Sequence, residues 1–300
     1  MMRLSTALSQ DGYRFVTPTP ATHAIVNARP GHEWARSVTD VFGWSRPFRD
    51  NVLPPPLTAL MHDAGVIEPD GEGWRSTIRL STLQNRLFVH SAFPTSAGDS
   101  VFFGPDTYRF AQAIQALPPR LVRRAVDIGC GAGPGAVLLS GAEEVFAVDI
   151  NDAALSFTRV NAAAAGVRVQ AVNSDLLVKL PGAFDLIVSN PPYLVDPASR
   201  AYRHGGGPLG AGLSLKILDT TCNRLAPGGT LLLYTGAAIV NGADPFRMAA
   251  EARLAETMLT WSYREIDPDV FGEELADGAY AETDRIAAVV LTVTKGENDA

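Results

Sequence analysis

The 300-residue sequence is short of cysteine: Cys130 and Cys222 are the only two. Two thiols form no metal cluster and suggest no disulfide framework, so a reducing cytoplasm suits the chain and no metal site is expected. No apolar run approaches the roughly 18–20 residues of a membrane helix, so no membrane partner is expected. The opening stretch MMRLSTALSQDGYRF lacks the long apolar core of a secretory signal. A basic excess is missing as well. Net charge is -7; residues 1–110 hold 10 Arg and Lys against 10 Asp and Glu, and the remainder holds 15 against 22. Neither part is a basic footprint for duplex nucleic acid, although a local arginine patch can hide in a neutral total. Internal repeats and low-complexity tracts are absent. What is present is an ordinary globular composition, 46% hydrophobic and 19% charged, with length enough for one large domain and a smaller one.

Two grammars divide the chain. Residues 1–20 are polar and punctuated by proline, as in a loose arm. Residues 21–42 have helical spacing broken by Pro30. LTALMHDAGVI (57–67) predicts a short amphipathic helix after a proline stop. RSTIRLSTLQNRLFVHSAF (75–93) alternates about Leu-Gln-Asn and predicts a β-hairpin. Residues 1–98 therefore read as a small α+β accessory domain. From residue 99, FFGPDTYRFAQAIQAL opens a helix at Pro-Asp-Thr. Short apolar runs then alternate with helical stretches: RAVDI (124–128), EVFAVDI (144–150), RVQAVNSD (168–175), FDLIVSN (184–190) and GTLLLYT (229–235). ETMLTWSYREI (256–266) and RIAAVVLTV (285–293) complete seven. Runs buried on both faces and separated by helices indicate βαβ units: an α/β, Rossmann-like, mostly parallel sheet with helices on both sides over 99–300.

Four motifs carry chemistry. In VDIGCGAGPGA (126–136), Gly129, Gly131 and Gly133 turn a strand into a helix; glycine there permits positive φ and a close ligand. Pro134 stands where the dinucleotide fingerprint has glycine, and Asp127 before the loop suits a positive amino-acid end better than a pyrophosphate. Asp149, twenty residues after Gly129, can accept both hydroxyls of a ribose; capping of the helix by Asn151 and Asp152 is the plain alternative for that region. Asp175 in NSDLL, with Leu176 beside it, can take an exocyclic amine. After FDLIV comes SNPPY (189–193): Asn190 offers a carbonyl oxygen, Pro191 a free carbonyl, Pro192 stiffens the turn and Tyr193 can stack on a flat group. Two acceptors and a ring clamp a planar –NH₂. Holding its N–H bonds favours charge on nitrogen and aims the lone pair, with no strong base needed.

In this order the residues resemble the class I S-adenosylmethionine-dependent methyltransferases, over roughly residues 100–294. NPPY resembles the amino-methylating branch. VFFGPDTYRF and GGGPLGAGLSLKILD (205–219) resemble the release-factor glutamine methyltransferase group, except that Ala211 replaces an Asp and the hairpin-bearing N-terminal part differs from that group's helical bundle. The resemblance implies S-adenosyl-L-methionine held by Asp127, Gly129, Gly131, Gly133, Asp149, Ile150, Asp175, Leu176 and Asn190. Asn190, Pro191, Pro192 and Tyr193 would hold the acceptor nitrogen. Phe103, Thr107 and Tyr108 would cover the methionine end or the substrate, against a plain reading of Phe103 and Tyr108 as core packing. The acceptor implied is a protein glutamine; RNA or DNA amines, a small molecule, and a non-catalytic cofactor-binding subunit are the rivals. Cys130 reads as a small apolar filler, His204 as a wet loop histidine, Glu273 and Glu274 as a solvated loop, and Trp34, Trp44 and Phe48 as packing.

Overall fold

The computed structural model describes residues 1–200, 202–276 and 278–297. The N-terminus departs from the expected loose arm. Met2–Gln10 forms helix α1, because Leu4 and Leu8, one turn apart, are both fully buried. Burying each of these side chains contributes about 1.5–3 kcal/mol toward ordering the helix. The helical spacing of 21–42 splits around Pro30 into α2 (Pro20–Asn27) and α3 (Val38–Phe42), capped by Thr19 and Ser37. Helix α4 (Pro55–Ala64) ends on Gly65 in the left-handed conformation. A pair not foreseen in the sequence, β1 (Ile67–Asp70) with β2 (Gly73–Ser76), precedes the foreseen hairpin of β3 (Ile78–Leu83) and β4 (Arg86–Ser91). Gln84 and Asn85 both take positive φ, as a two-residue hairpin turn with right-handed strand twist requires. Phe48 and half-buried Trp44 pack this region's core, and Arg49 lies over the Trp34 ring.

The remaining chain runs α5 (Pro105–Gln115), β5 (Arg124–Ile128), α6 (Pro134–Leu138), β6 (Glu144–Asp149), α7 (Asp152–Ala164), β7 (Gln170–Asn173) and β8 (Phe184–Ser189). It continues with α8 (Gly212–Cys222), β9 (Leu225–Ile239), α9 (Pro245–Leu254), β10 (Thr260–Asp267) and β11 (Arg285–Thr294). Seven strands form one sheet in the order β10-β11-β9-β8-β5-β6-β7, with β11 antiparallel to both neighbours and every other pairing parallel. Alternation places Val126, Ile128, Ile187, Leu231 and Leu233 on the face covered by α8 and α9. Ala125, Leu186, Val188, Leu232 and Tyr234 meet α5 and α6 on the other face. Asp127 shares that parity, so its side chain points toward α6.

The hairpin is tied to the larger sheet through α7. Buried Asn161 accepts from the Val89 amide (2.8 Å) and donates to the carbonyls of Val89 (2.9 Å) and Ala132 (2.8 Å). One side chain thus satisfies the edge of β4 and the end of the glycine turn together. No helix among the described residues is long and apolar enough to cross a membrane.

Candidate active site

The C-terminal ends of β5, β6 and β8, with the turn after β7, open on one cavity of about 410 Å³. This is where parallel sheets place ligands, because the strand order reverses between β5 and β8. Gly129, Gly131 and Gly133 all have positive φ (68°, 53° and 81°). A Cβ built on Gly129 or Gly131 meets no protein atom closer than 3.9 Å. The room beside those two glycines belongs to the cavity they line. Gly133 and Gly135 are small for an internal reason: a Cβ would come within 2.9 Å of Thr158 and 2.5 Å of the Asp127 carboxylate. Pro134 opens α6 at a position where its missing N–H costs nothing.

Asp127 is buried (1% exposed) and accepts from the Ala136 amide at 2.8 Å. Burial pushes its carboxyl up to about 7, with the charge of Asp149 adding to the shift. Asp149 accepts the Gly131 amide (3.0 Å) on one oxygen and the Asn151 amide (2.9 Å) on the other, and burial raises it too. It braces the glycine turn as well as lining the cavity. The cap of α7 is Asn151, whose side chain accepts from Ala153. Ile150 is 63% exposed at the cavity wall, an apolar group left uncovered by the chain. Asp175 lies two residues beyond β7 and pairs with Lys216 (2.9 Å) in the open; Leu176 beside it is buried with φ 48°. Cys130 is a buried filler whose thiol is raised by burial, and it sits 3.4 Å from the Thr158 hydroxyl.

Register sets the clamp. Ile128 pairs with Ser189, and the Ser189 hydroxyl donates to the Ile128 carbonyl (2.8 Å). Asn190 therefore leaves β8 beside Gly129 as it leaves β5. Among the described residues no hydrogen bond reaches the Asn190 amide or the Pro191 carbonyl, and both residues line the cavity. Tyr193 is held rather than free. Its ring is buried edge-on to Phe271 (5.9 Å) and against Gly236, where a Cβ would stand 2.2 Å from the ring. The glycines of 205–210 have a packing cause: a Cβ on Gly205 or Gly210 would lie 2.0 Å from a backbone oxygen, on Gly210 that of Tyr193 itself.

The anchor for Tyr193 is Asp106, which sequence reasoning took only as part of a helix start. Buried Asp106 accepts the hydroxyls of Tyr193 (2.7 Å) and Tyr234 (2.6 Å) and is bonded by Arg109 (3.2 Å). Burial raises its carboxyl above the ordinary range, opposed by these donors. The available signal was Tyr234 itself: a hydroxyl inside the apolar run GTLLLYT must find a buried partner. The lid assignments need correction. Phe103 is buried in the core, stacked on His90 (5.0 Å), and Tyr108 packs edge-on to it while its hydroxyl accepts the Thr17 amide. Neither lines the main cavity; Phe102 and Thr107 do. Glu274 is not simply solvated, since it pairs with Arg203. His204 accepts the Asp196 amide (3.1 Å) outside the cavity lining.

Residues 111–237 match the family model described as the methyltransferase small domain. The matched segment, about two fifths of the chain, spans the glycine turn, Asp127, Asp149 and Asp175 at the strand ends, and the Asn-Pro-Pro-Tyr turn. Similar proteins include a release factor glutamine methyltransferase of Deinococcus radiodurans, 37% identical over 165 residues, 50% of this chain and 55% of that protein. A tRNA1(Val) (adenine(37)-N6)-methyltransferase of Aeromonas hydrophila is 35% identical over 137 residues, 41% of this chain and 56% of that one. A 4-amino-L-phenylalanine/4-methylamino-L-phenylalanine methyltransferase of Streptomyces pristinaespiralis is 30% identical over 184 residues, 55% and 60% of the two chains. The chain thus spans a little over half the length of these relatives, which are methyltransferases by name and differ in the acceptor named.

Proposed function

We propose that the chain is an N-methyltransferase that moves a methyl group from S-adenosyl-L-methionine to a planar –NH₂ nitrogen in the cytoplasm. The observation carrying this reading is the unpartnered Asn190 amide, set beside the glycine turn by the Ile128–Ser189 register. The cavity fits the donor: Gly129 and Gly131 leave a cradle that side chains would fill, and Asp127 and Asp149 face it with acceptors. Asp127 would answer the amino-acid end, Asp149 the ribose, and Ile150, Asp175 and Leu176 the adenine. The donor supplies a methyl on a sulfonium, open to in-line displacement. Asn190 and the Pro191 carbonyl accept the two N–H bonds of the acceptor, which favours charge on its nitrogen. Pro192 and the Asp106-anchored Tyr193 hold that pair of acceptors in place.

A protein glutamine side chain is the first acceptor considered, because the release-factor relative acts on glutamine by name. A second reading, a small molecule, is favoured by the wall at the acceptor end. Residues 1–98 act there as an accessory unit: Pro20 and Phe93 to Ser96 line the cavity. The Tyr202 hydroxyl donates to the Thr95 carbonyl (2.6 Å) and its ring stacks on Phe102, joining two segments of that wall. Arg200 and Arg203 are occupied by Asp196 and Glu274, which counts against a phosphate backbone. Replacing Asn190 by Ala tests the core of the proposal. Methyl transfer into fractionated lysate from labelled donor is expected to vanish while donor affinity stays within about threefold, since Asn190 is one of nine residues assigned to the donor and the other eight remain. Retained turnover would remove Asn190 from its role.

A further inference from the structure

Behind the acceptor wall lies a second, small chamber of about 10 Å³, lined by His23, Arg79, His90 and Phe103 and sharing Pro20, Phe93, Thr95 and Phe102 with the main cavity. Its size is about that of one water, so a carboxylate enters it only with displacement of the side chains that separate it from the main cavity. Arg79 in β3 is 4% exposed. Among the described residues it has no ion pair, and its Nε and Nη2 are buried without a hydrogen-bond partner. Those two atoms form the edge of the guanidinium whose parallel N–H bonds match a carboxylate. Among the described residues the charges that act on this cation come from no acid but from the hydroxyls of Tyr13 and Tyr108. Both hydroxyls are engaged elsewhere, with the Leu80 carbonyl and the Thr17 amide, and the Phe15 ring lies under the guanidinium at 5.5 Å. His23, fully buried, leaves Nδ1 without a partner while Nε2 bonds the Trp44 carbonyl (2.8 Å). His90 is satisfied by Ser81 and the Ser91 carbonyl.

A buried cation without a counter-charge destabilises a fold, and replacing it with an apolar side chain would be the cheaper solution. We propose that the chamber is an acid-binding subsite in which Arg79 takes the carboxylate of the methyl acceptor, whose body passes between Phe93 and Phe102 into the main cavity. The acceptor is then a small acid carrying a planar amine. This rests on the transferase reading above and gives its second form a chemistry.

The test uses benzoate, benzamide and acetate as probes on the full chain, read by melting temperature and by the emission of Trp44, which packs against His23 at 5.2 Å. Benzoate is expected to bind at least about tenfold more tightly than benzamide, which lacks the charge, and than acetate, which lacks the body. Arg79→Gln should erase the preference for benzoate over benzamide. Arg79→Met should do the same while melting above the wild type in the absence of probe. Equal binding of benzoate and benzamide, or benzoate binding unchanged in Arg79→Gln, would overturn the subsite. So would no benzoate binding, which would leave a chamber filled by water only. Acetate binding as tightly as benzoate would assign the site to a free anion and overturn the link to the acceptor. The comparison of probes on the wild type needs no variant to fold. Binding is read without turnover, so its failure counts against the subsite and not against methyl transfer, which Asn190→Ala addresses.

Discussion

Asp106→Ala is the most searching perturbation of the site, because one carboxylate holds the clamp from behind. It accepts two buried hydroxyls, from Tyr193 at 2.7 Å and Tyr234 at 2.6 Å. Arg109 keeps Asp267 at 2.7 Å, so its share of the loss is small. Orphaning two buried donors at about 1–3 kcal/mol each gives roughly 4 kcal/mol. At about 2 °C per kcal/mol for a chain of this size, the melting temperature should fall by roughly 8 °C. Asp106→Asn keeps one carbonyl acceptor and lets one hydroxyl rotate to accept, so about half that fall is expected. Tyr234→Phe removes one hydroxyl and should cost about 1 kcal/mol. With Tyr193 unanchored, the acceptor is held less well and kcat should drop about ten- to hundredfold. Donor affinity, measured by calorimetry, should change by less than about threefold, since Asp106 braces the acceptor side. A folded Asp106→Asn enzyme with wild-type kcat would show that the network only packs. Unchanged melting in Asp106→Ala would show that the hydroxyls have other partners.

Asp127 makes stability depend on pH in a stated direction. Its folded value, about 7, lies above the ordinary 3.8, so its contribution is present below about pH 4 and is lost as pH rises to about 7. The most this can amount to is about 4 kcal/mol, and Asp127→Asn should flatten the melting profile across that window; an unchanged profile would refute the assignment. Because a cationic donor favours the ionised carboxylate, donor affinity should rise with pH up to about 7 and then level, as calorimetry in two buffers can check. Gly210→Ala places a Cβ 2.0 Å from the Tyr193 carbonyl at a φ of 78°, which should cost about 3 kcal/mol or more and lower both melting temperature and turnover. Lys216→Ala should leave melting within about 1 °C, because its pair with Asp175 is exposed; a larger fall would mean the pair closes the cavity.

The presence of seven mostly parallel strands, though not their order, was legible in the chain because parallel strands buried on both faces need uninterrupted apolar runs, and RAVDI and FDLIVS coincide with β5 and β8 to within a residue. The glycine turn was legible because three positive φ values in five residues leave little choice of residue. Asn190 beside Gly129 was legible in part: each motif ends its strand, but only the Ile128–Ser189 pairing brings the two ends together. Other features had no local signal. Helix α1 exists because Leu4 and Leu8 find a core built from distant elements, overriding a weak local preference. Phe102 and Phe103 are the same residue type in neighbouring positions, and only the surroundings send one to the cavity and the other to the core. Asp106 reaches Tyr193 and Tyr234 across 87 and 128 residues. Sequence alone determined that apolar strands end in the glycine turn and in Asn190, with the groups those ends carry, because these follow from local periodicity and turn chemistry. The tertiary structure alone decided which buried hydroxyls, carboxylates and arginines meet, because satisfying a polar group in an apolar interior depends on whatever distant segment packs against it.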